Sequence, residues 1–323
     1  MSNSNEEVFV SVIIPALNEE EYIAEILQAI HRYPPAENYE IIVVDNGSTD
    51  RTLTLAKDNG AKFVKHTQGT IASVRNYGVS VSCGQILIFL DADVLVTEKW
   101  ATTMPMIIDE LIKNPMICTG SRCLPPDNGN WLNRHWFARL VNYDAPYINS
   151  GHLITTRTLF DKISGFSEHL KTAEDYDFCM KAKSAGAFMK NNIDLPVIHL
   201  GYPKTIKDFI NRERWHGRED FETWSSFADS KVGWAAAFNL LFFVTAIFSV
   251  IIIVNLYPLV SYFIIILMIS IALTAYKFKA SDGGSLLPTA AIFYVYLCGR
   301  SLALIDRFTN IIYKNKPSKE KIV

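Results

Sequence analysis

Cysteine is scarce and scattered in this chain. The five residues, Cys83, Cys118, Cys123, Cys179 and Cys298, form no C-x-x-C pair. That argues against a zinc site and against a disulfide framework, and leaves free thiols in a reducing compartment. Charge of one sign is lacking too. With 31 Lys and Arg against 33 Asp and Glu, the formal net charge is -2. There is no global basic field of the kind that sequence-independent binding requires, and no nucleic-acid partner is expected. No G-x-G-x-x-G follows the first apolar strand and no G-x-x-x-x-G-K-[ST] occurs, so dinucleotide-binding and P-loop readings lose support. The opening MSNSNEEVFV has neither a basic n-region nor an apolar h-region and does not read as a secretory signal. Internal repeats and low-complexity tracts are not visible.

Long apolar runs are present, and all lie late in the chain. Trp234 to Val254 is interrupted by Asn239 and a few hydroxyls; Asn255 and Pro258 mark a turn; Leu259 to Tyr276 is apolar again. Each run approaches the ~20 residues that span a bilayer, and the pair reads as a transmembrane hairpin. A third run, Leu286 to Ile305, contains Pro288 and Arg300. Lys277 and Lys279 follow the second run, and Arg307, Lys314, Lys316, Lys319 and Lys321 follow the third. The positive-inside rule wants both groups on the cytoplasmic side, which favours an in-plane or re-entrant third helix over a third span.

The first two thirds read as alternating strands and helices. VFVSVII, Val8 to Ile14, is a strand that Pro15 should stop. Asn18 resembles a helix N-cap with Glu21 completing a capping box, and Ile23, Ile26, Leu27 and Ile30 share one helical face. EIIVV, Glu40 to Val44, is a buried strand ending at Asp45; Ser48 or Thr49 can cap a helix from Arg51 to Asn59. Lys62 to Val64 is a short strand, Thr70 to Ser80 has helical character, and ILIFL, Ile86 to Leu90, is a strand ending at Asp91. This order predicts βαβ units, an α/β fold and a mostly parallel sheet. Ligands of open α/β sheets bind beyond the carboxyl ends of strands, so Asn18, Asp45, Asp91 and Asp93 are expected on one rim.

Asp91 and Asp93, with Ala92 between them, bring two negative charges to one spot. Such a pair is repulsive unless something positive joins it. A divalent cation is a natural partner, since Mg²⁺ and Mn²⁺ favour carboxylate oxygens completed by substrate phosphates. Asp also ends strands for turn reasons alone. A second cluster, Glu174, Asp175 and Asp177, stands at a helix start closed by Gly186. It reads either as solvated acids favoured by the helix dipole or as the place of a general base.

SVIIPALNEE, IIVVDNGSTDRT, ASVRNYGVSVSCGQILIFLDADV, SGHLITTRTLFDKISGF and AEDYDF stand in this order between about Val10 and Gly201. In that order they resemble family 2 glycosyltransferases, inverting enzymes of GT-A (nucleotide-diphospho-sugar transferase) fold. The resemblance implies roles. Pro15, Asn18 and Glu19 would begin the nucleotide cradle, and Asp45 would read the base. Arg75 and Asn76 would lie beside the nucleotide and diphosphate. Asp91 would be nearer the ribose and Asp93 the direct ligand of Mn²⁺ or Mg²⁺. Glu174 and Asp175 match an E-D pair whose Asp is the base. His199 stands where some relatives contact metal or diphosphate, although a lone His is often structural. Asn211-Arg212-Glu213-Arg214-Trp215 is similar to the Q-x-x-R-W of processive synthases, with Asn in place of Gln; Arg214 and Trp215 would face the acceptor. The aromatics Phe209, Trp215, Phe221, Trp224, Phe227 and Trp234 also suit a bilayer surface.

The expected protein has a GT-A catalytic domain over residues 1–204, an interfacial segment over 205–232, a transmembrane hairpin over 233–276, and an in-plane or third membrane helix with a basic tail over 277–323. It would be a bacterial-type inner-membrane enzyme with its catalytic domain in the cytoplasm. It would move a sugar from a UDP- or GDP-sugar donor to a lipid-linked saccharide, with a polyprenyl phosphate as the alternative acceptor. An inactive GT-A membrane scaffold is the rival from another class. A nucleotidyltransferase would carry a Gly/Arg-rich loop and Lys near the first strand, which Pro15-Ala16-Leu17-Asn18 lacks.

Overall fold

The computed structural model describes residues 9–67, 69–127, 129–141, 147–170, 172–278 and 286–309. In chain order the strands and helices begin β1 (Val10–Ala16), α1 (Ile23–Arg32), β2 (Tyr39–Asp45), α2 (Thr52–Asp58), β3 (Lys62–Lys65), α3 (Ile71–Ser80), β4 (Ile86–Leu90), β5 (Val94–Val96), α4 (Glu98–Lys113) and β6 (Ile117–Gly120). A π-helical turn, Asn133–Phe137, leads into the short α5 (Ala138–Leu140). Then come β7 (His152–Thr156), α6 (Arg157–Lys162), α7 (Glu174–Ser184), β8 (Phe188–Asn191), β9 (Val197–His199) and α8 (Ile206–His216). A 3-10 turn, Glu219–Phe221, precedes α9 (Trp224–Asp229), α10 (Lys231–Ile253), α11 (Tyr257–Phe278) and α12 (Leu286–Thr309).

The chain divides into two compact units. Among the described residues the first holds 9–126 and 147–201, the second 127–141 and 202–309. The stretch from Asp127, which the sequence places within 1–204, belongs with the late helices. In the first unit the sheet order is β3-β2-β1-β4-β7-β6-β8. All neighbours are parallel except β7, which is antiparallel to β4 and β6. Val10, Val12 and Ile14 face one apolar layer with α1 and α4; Ile13, Val44 and Phe89 face the other with α3, α6 and α7. Burial on both faces is why these strands are unbroken apolar runs.

Two local signals are overruled. Pro15 does not stop β1, which continues to Ala16 opposite Asp45. Val10 N donates to Asn38 O and Ala16 O accepts from Asn46 N, so the even residues face β2 and Pro15 faces β4. Pairing with β4 ends at Ile13, and the missing proline N–H leaves no ladder bond unfilled. Asn18 is not a helix cap either. It adopts φ 57°, and α1 begins at Ile23 with Glu19 O accepting from Tyr22 and Ile23 N. Likewise Asp50, not Ser48 or Thr49, receives the Thr52 N–H at the start of α2, at 3.0 Å.

In the second unit three helices, α10, α11 and α12, are long and apolar enough to cross a membrane. α12 runs without a break through Arg300; Pro288 sits in its first turn, where no intrahelical N–H bond is needed. Lys279, the Ser281-Asp282-Gly283-Gly284 stretch, and Lys314, Lys316, Lys319 and Lys321 lie outside the described residues.

α3 lies close on the sheet at Gly78, where a Cβ would come within 2.5 Å of Ile13 Cγ2 and 3.0 Å of Val44 Cγ2. Overpacking costs about 1–3 kcal/mol, while alanine in place of a helical glycine returns about 1 kcal/mol. Gly78→Ala should therefore destabilise by about 1 kcal/mol, read as a lowered thermal unfolding midpoint. A raised midpoint would show that α3 has room to spare.

Candidate active site

Parallel β2, β1 and β4 are adjacent, so their carboxyl ends share a rim. Beyond β1, Asn18 N donates to Ser48 Oγ at 2.9 Å and Asn18 Oδ1 accepts from Thr49 N at 2.9 Å. Buried Glu19 donates its N–H to Thr52 Oγ1 at 2.8 Å. Asp45 is buried at the end of β2 and accepts from Gly47 N and Ser48 N, both at 3.1 Å. Asn46 and Gly69 exchange two hydrogen bonds, at 3.0 and 3.1 Å. Three loops beyond the sheet edge are thus knitted together by short polar side chains.

The positive partner of the Asp91 carboxylate comes from the protein. Arg75, on α3, is 2% exposed. Its Nη2 donates to Asp91 Oδ1 at 2.8 Å and its Nη1 to Glu174 Oε1 at 2.7 Å. The guanidinium carbon lies 5.7 Å from the centre of the Phe166 ring. Burial pulls the Arg75 pKa down, but the two carboxylates outweigh it and hold it above the ordinary value. Ser150 Oγ donates to the same Glu174 oxygen at 3.2 Å, and Asp91 N donates to Gly151 O at 3.1 Å. Arg75 therefore engages both of its terminal nitrogens inside the protein. Asn76 is engaged as well. Its Nδ2 donates to Phe166 O and Glu168 Oε1, and its Oδ1 accepts from Phe166 N, all at 2.9 Å.

Asp93 stands apart from that bridge. It is buried, and its Oδ2 lies 3.9 Å from His199 Nδ1. Antiparallel pairing of β5 with β9 sets Val94 opposite His199 and brings the two together. Leu200 N donates to Asp93 O at 2.8 Å. A Cβ at Gly201 would overlap the Asp93 carboxylate. Among the described residues no three His, Cys, Asp or Glu side chains converge as a ready-made metal cage.

The three acids that open α7 differ in surroundings. Glu174 is taken by Arg75 and Ser150. Asp177 accepts from Ser167 Oγ at 2.6 Å and pairs with Lys181 at 3.4 Å. Asp175 accepts from Tyr176 N at 2.7 Å. Burial, then the neighbouring Glu174 charge, push its pKa up to about 7, against the lowering pull of backbone N–H groups and Arg75. A carboxyl poised there exchanges protons at neutral pH.

Arg214 and Trp215 belong to the second unit. Arg214 forms a two-pronged pair with Asp306 of α12, and Trp215 stands edge-on to His216 with centroids 4.9 Å apart. Sequence reasoning did not single out Ser150, Gly151, Phe166 or Gly201. Ser150 and Gly151 lie inside the quoted SGHLITT, and their closeness to acids is set by tertiary contacts that local pattern does not carry.

The profile of glycosyl transferase family 2 matches residues 11–172, half of the chain. The chain belongs to this family. It is 41% identical over 100 residues to glycosyltransferase AglE of Haloferax volcanii, across 28% of this chain and 33% of that protein. It is 30% identical over 162 residues to a dolichol-phosphate mannosyltransferase of Pyrococcus furiosus, across 49% and 45% of the two. It is 27% identical over 186 residues to the poly(ribitol-phosphate) β-N-acetylglucosaminyltransferase TarS of Staphylococcus aureus, across 53% and 32%. The chain thus spans about a third to just under a half of these relatives. The mannosyltransferase PcManGT of Pyrobaculum calidifontis, solved with GDP-Man and Mn²⁺, shares the GT-A fold at a TM-score of 0.58 and 17% identity, covering 94% of this chain and 88% of that one.

Removing one partner of a buried ion pair costs about 3–5 kcal/mol, because the remaining charge is left uncompensated. Arg75→Met should destabilise by that order, and adding Glu174→Gln should recover part of the loss. Equal unfolding midpoints for the single and double variants would show that the bridge does not couple α3 to α7.

Proposed function

We propose that this chain is an inverting glycosyltransferase that moves one sugar from a nucleotide-diphospho-sugar to a hydroxyl of a lipid-linked saccharide at a membrane surface. Asp175 carries the reading. It stands in the first turn of α7 with its pKa pushed up to about 7, the value suited to taking a proton from a hydroxyl as the new bond forms. Glu174, fixed by Arg75 and Ser150, holds the start of α7 and so orients Asp175. Pro15, Asn18, Glu19 and Asp45 form the nucleotide side of the rim. Arg75 neutralises Asp91 and keeps it in place, and Asn76 fixes the Phe166 turn against which Arg75 rests.

A divalent cation, Mn²⁺ or Mg²⁺, fits this arrangement. Asp93 and His199 offer one carboxylate and one imidazole 3.9 Å apart, a donor set that a substrate diphosphate would complete, with Asp91 beside it. Such an ion would stabilise charge on the departing diphosphate. Trp215 is assigned to the lipid-borne acceptor, with Arg214 holding α8 through Asp306. The catalytic unit is assigned to the cytoplasmic side of a bacterial-type inner membrane.

A polyprenyl phosphate acceptor is the second reading, favoured by similarity to the Pyrococcus furiosus dolichol-phosphate mannosyltransferase over 49% of this chain. An ionised phosphate needs little help from a base. Membranes incubated with radiolabelled UDP- and GDP-sugars and Mn²⁺, then extracted for lipid, test both. Asp175→Asn should reduce transfer by roughly 10²–10⁴-fold while leaving donor affinity nearly intact. The raised acid is protonated below about pH 7, so wild-type transfer should fall as pH drops through that value, and the variant should lose the dependence. A flat profile with an active Asp175→Asn variant would favour the phosphate acceptor.

Asp93→Asn should keep the fold and abolish metal-dependent donor hydrolysis. Unchanged hydrolysis in that variant would remove Asp93 from the metal site.

A further inference from the structure

The imidazole of His152, at the start of β7, has no part in the chemistry above, yet it is fully buried with both ring nitrogens engaged. Trp100 Nε1 of α4 donates to His152 Nε2 at 2.8 Å. Ser121 Oγ lies 2.9 Å from Nδ1, with Ser121 N 3.1 Å from the same nitrogen. An indole N–H can only donate, so Nε2 accepts. The one proton of a neutral imidazole is then on Nδ1. Ser121 Oγ takes it while donating its own proton to Leu195 O. A second ring proton would be set against the Trp100 N–H. Burial acts in the same sense and pushes the His152 pKa down to about 3. The ring is a neutral connector, not a proton carrier.

What it connects is the turn that meets the acids of the site. Asn149 Oδ1 accepts from Gly151 N at 2.7 Å and Asn149 O from His152 N at 3.1 Å, which closes a tight turn at the head of β7. Three acids meet that turn. Gly151 O accepts from Asp91 N, Ser150 Oγ donates to Glu174, and the Ser150 N–H donates to the Asp175 carboxylate. On its other side the ring reaches Leu195 through Ser121. Leu195 leads into β9, which ends at His199 beside Asp93. Thr97 Oγ1, at the start of α4, donates to Pro196 O at 2.9 Å and stitches the same segment to α4.

We infer that His152 is a positioning residue for the transfer reaction, acting through the Asn149–Gly151 turn to keep the Ser150 N–H on Asp175. The inference rests on the reading of Asp175 as the base. A hydrogen bond to the ionised form of a carboxyl favours that form, so the Ser150 N–H holds the Asp175 pKa below where burial and Glu174 alone would put it. The other groups that face Asp175 are Glu174 beside it, Arg75 from α3, Tyr147 ahead of β7, and Cys179 further along α7. None of them is altered by a change at His152.

The test follows lipid-extracted sugar transfer against pH, in membranes holding the full chain. His152→Phe removes both ring contacts and keeps most of the volume. Its acid limb should move up by about one pH unit, the worth of one hydrogen bond to a charged group. Transfer should then fall roughly fivefold at pH 7 and return nearly to the wild-type rate by about pH 9, because a shift of one unit leaves the base ionised there. His152→Asn, whose amide reaches Ser121 from near the Nδ1 position, should restore most of the wild-type limb. A loss in His152→Phe that persists at high pH with the limb unmoved is a purely structural effect and overturns the inference, as does a wild-type profile in that variant. Should His152→Phe fail to fold, Trp100→Phe, which removes only the donor to Nε2, should move the limb in the same direction, and an unmoved limb overturns the inference. A flat profile in the wild type would instead remove the Asp175 reading, and the positioning role with it.

Discussion

Two carboxylates sharing one buried guanidinium hold the first unit's chemistry in place. Arg75 arrives from α3, Asp91 from the end of β4 and Glu174 from the start of α7. These residues are separated by 16 and 99 positions in the chain, so the bridge closes long loops that nothing local would close. Its cost is desolvation of three charges, and a buried pair of this kind is seldom a net gain in stability. What it secures is placement. With Arg75 engaged by Asp91 and Glu174, two other acids lie outside the bridge: Asp93 beside His199, and Asp175 with its pKa pushed up to about 7. The acids at the head of α7 sit in three different surroundings: Glu174 on Arg75 and Ser150, Asp177 on Ser167 and Lys181, and Asp175 on the Tyr176 N–H.

The same bridge marks where a linear reading stops. ILIFL followed by two acids was legible as a buried strand delivering charge to a rim, because a run apolar at every position implies burial on both faces. The shared rim of Asn18, Asp45 and Asp91 followed from strand order, as did the mostly parallel sheet; the family was legible in the motifs from SVIIPALNEE to AEDYDF. Arg75 was visible as a residue beside the diphosphate, but its two partners are tertiary and left no local trace. Pro15 and Asn18 failed for a related reason. A proline stops a strand only if its N–H side is paired, and Asn18 caps a helix only if its side chain is not claimed by Thr49, 31 residues away. Neither condition is written in the surrounding ten residues. The antiparallel entry of β7 and the allegiance of residues 127–141 to the second unit also depend on distant partners.

In the second unit the QxxRW-like stretch took on a meaning that its spelling did not suggest. Glu213 is 2% exposed and receives Arg212 at 2.7 Å and Arg300 at 3.2 Å. The neighbouring Arg214 binds Asp306. Alternate charges of α8 therefore fasten it to α12. That use explains why a helix carrying so many ions packs against one long enough to be a membrane span, and it makes Arg300 an anchor where the sequence alone presents an interruption in an apolar run.

Backbone, finally, sets the direction of the two acids at the end of β4. A Cβ on Gly151 would lie 2.7 Å from Asp91 Oδ2, and one on Gly201 would overlap the Asp93 carboxylate. Each acid leans on a glycine from a remote segment, and each segment also hydrogen-bonds the acid's own main chain: Gly151 O accepts from Asp91 N, and Leu200 N donates to Asp93 O. A carboxylate fixed from behind by main chain has little rotamer freedom left to lose when a substrate arrives. Orientation supplied before binding is the form of catalytic advantage that a rigid sheet edge can provide. It requires the absence of a side chain at two positions as much as the presence of acids at two others.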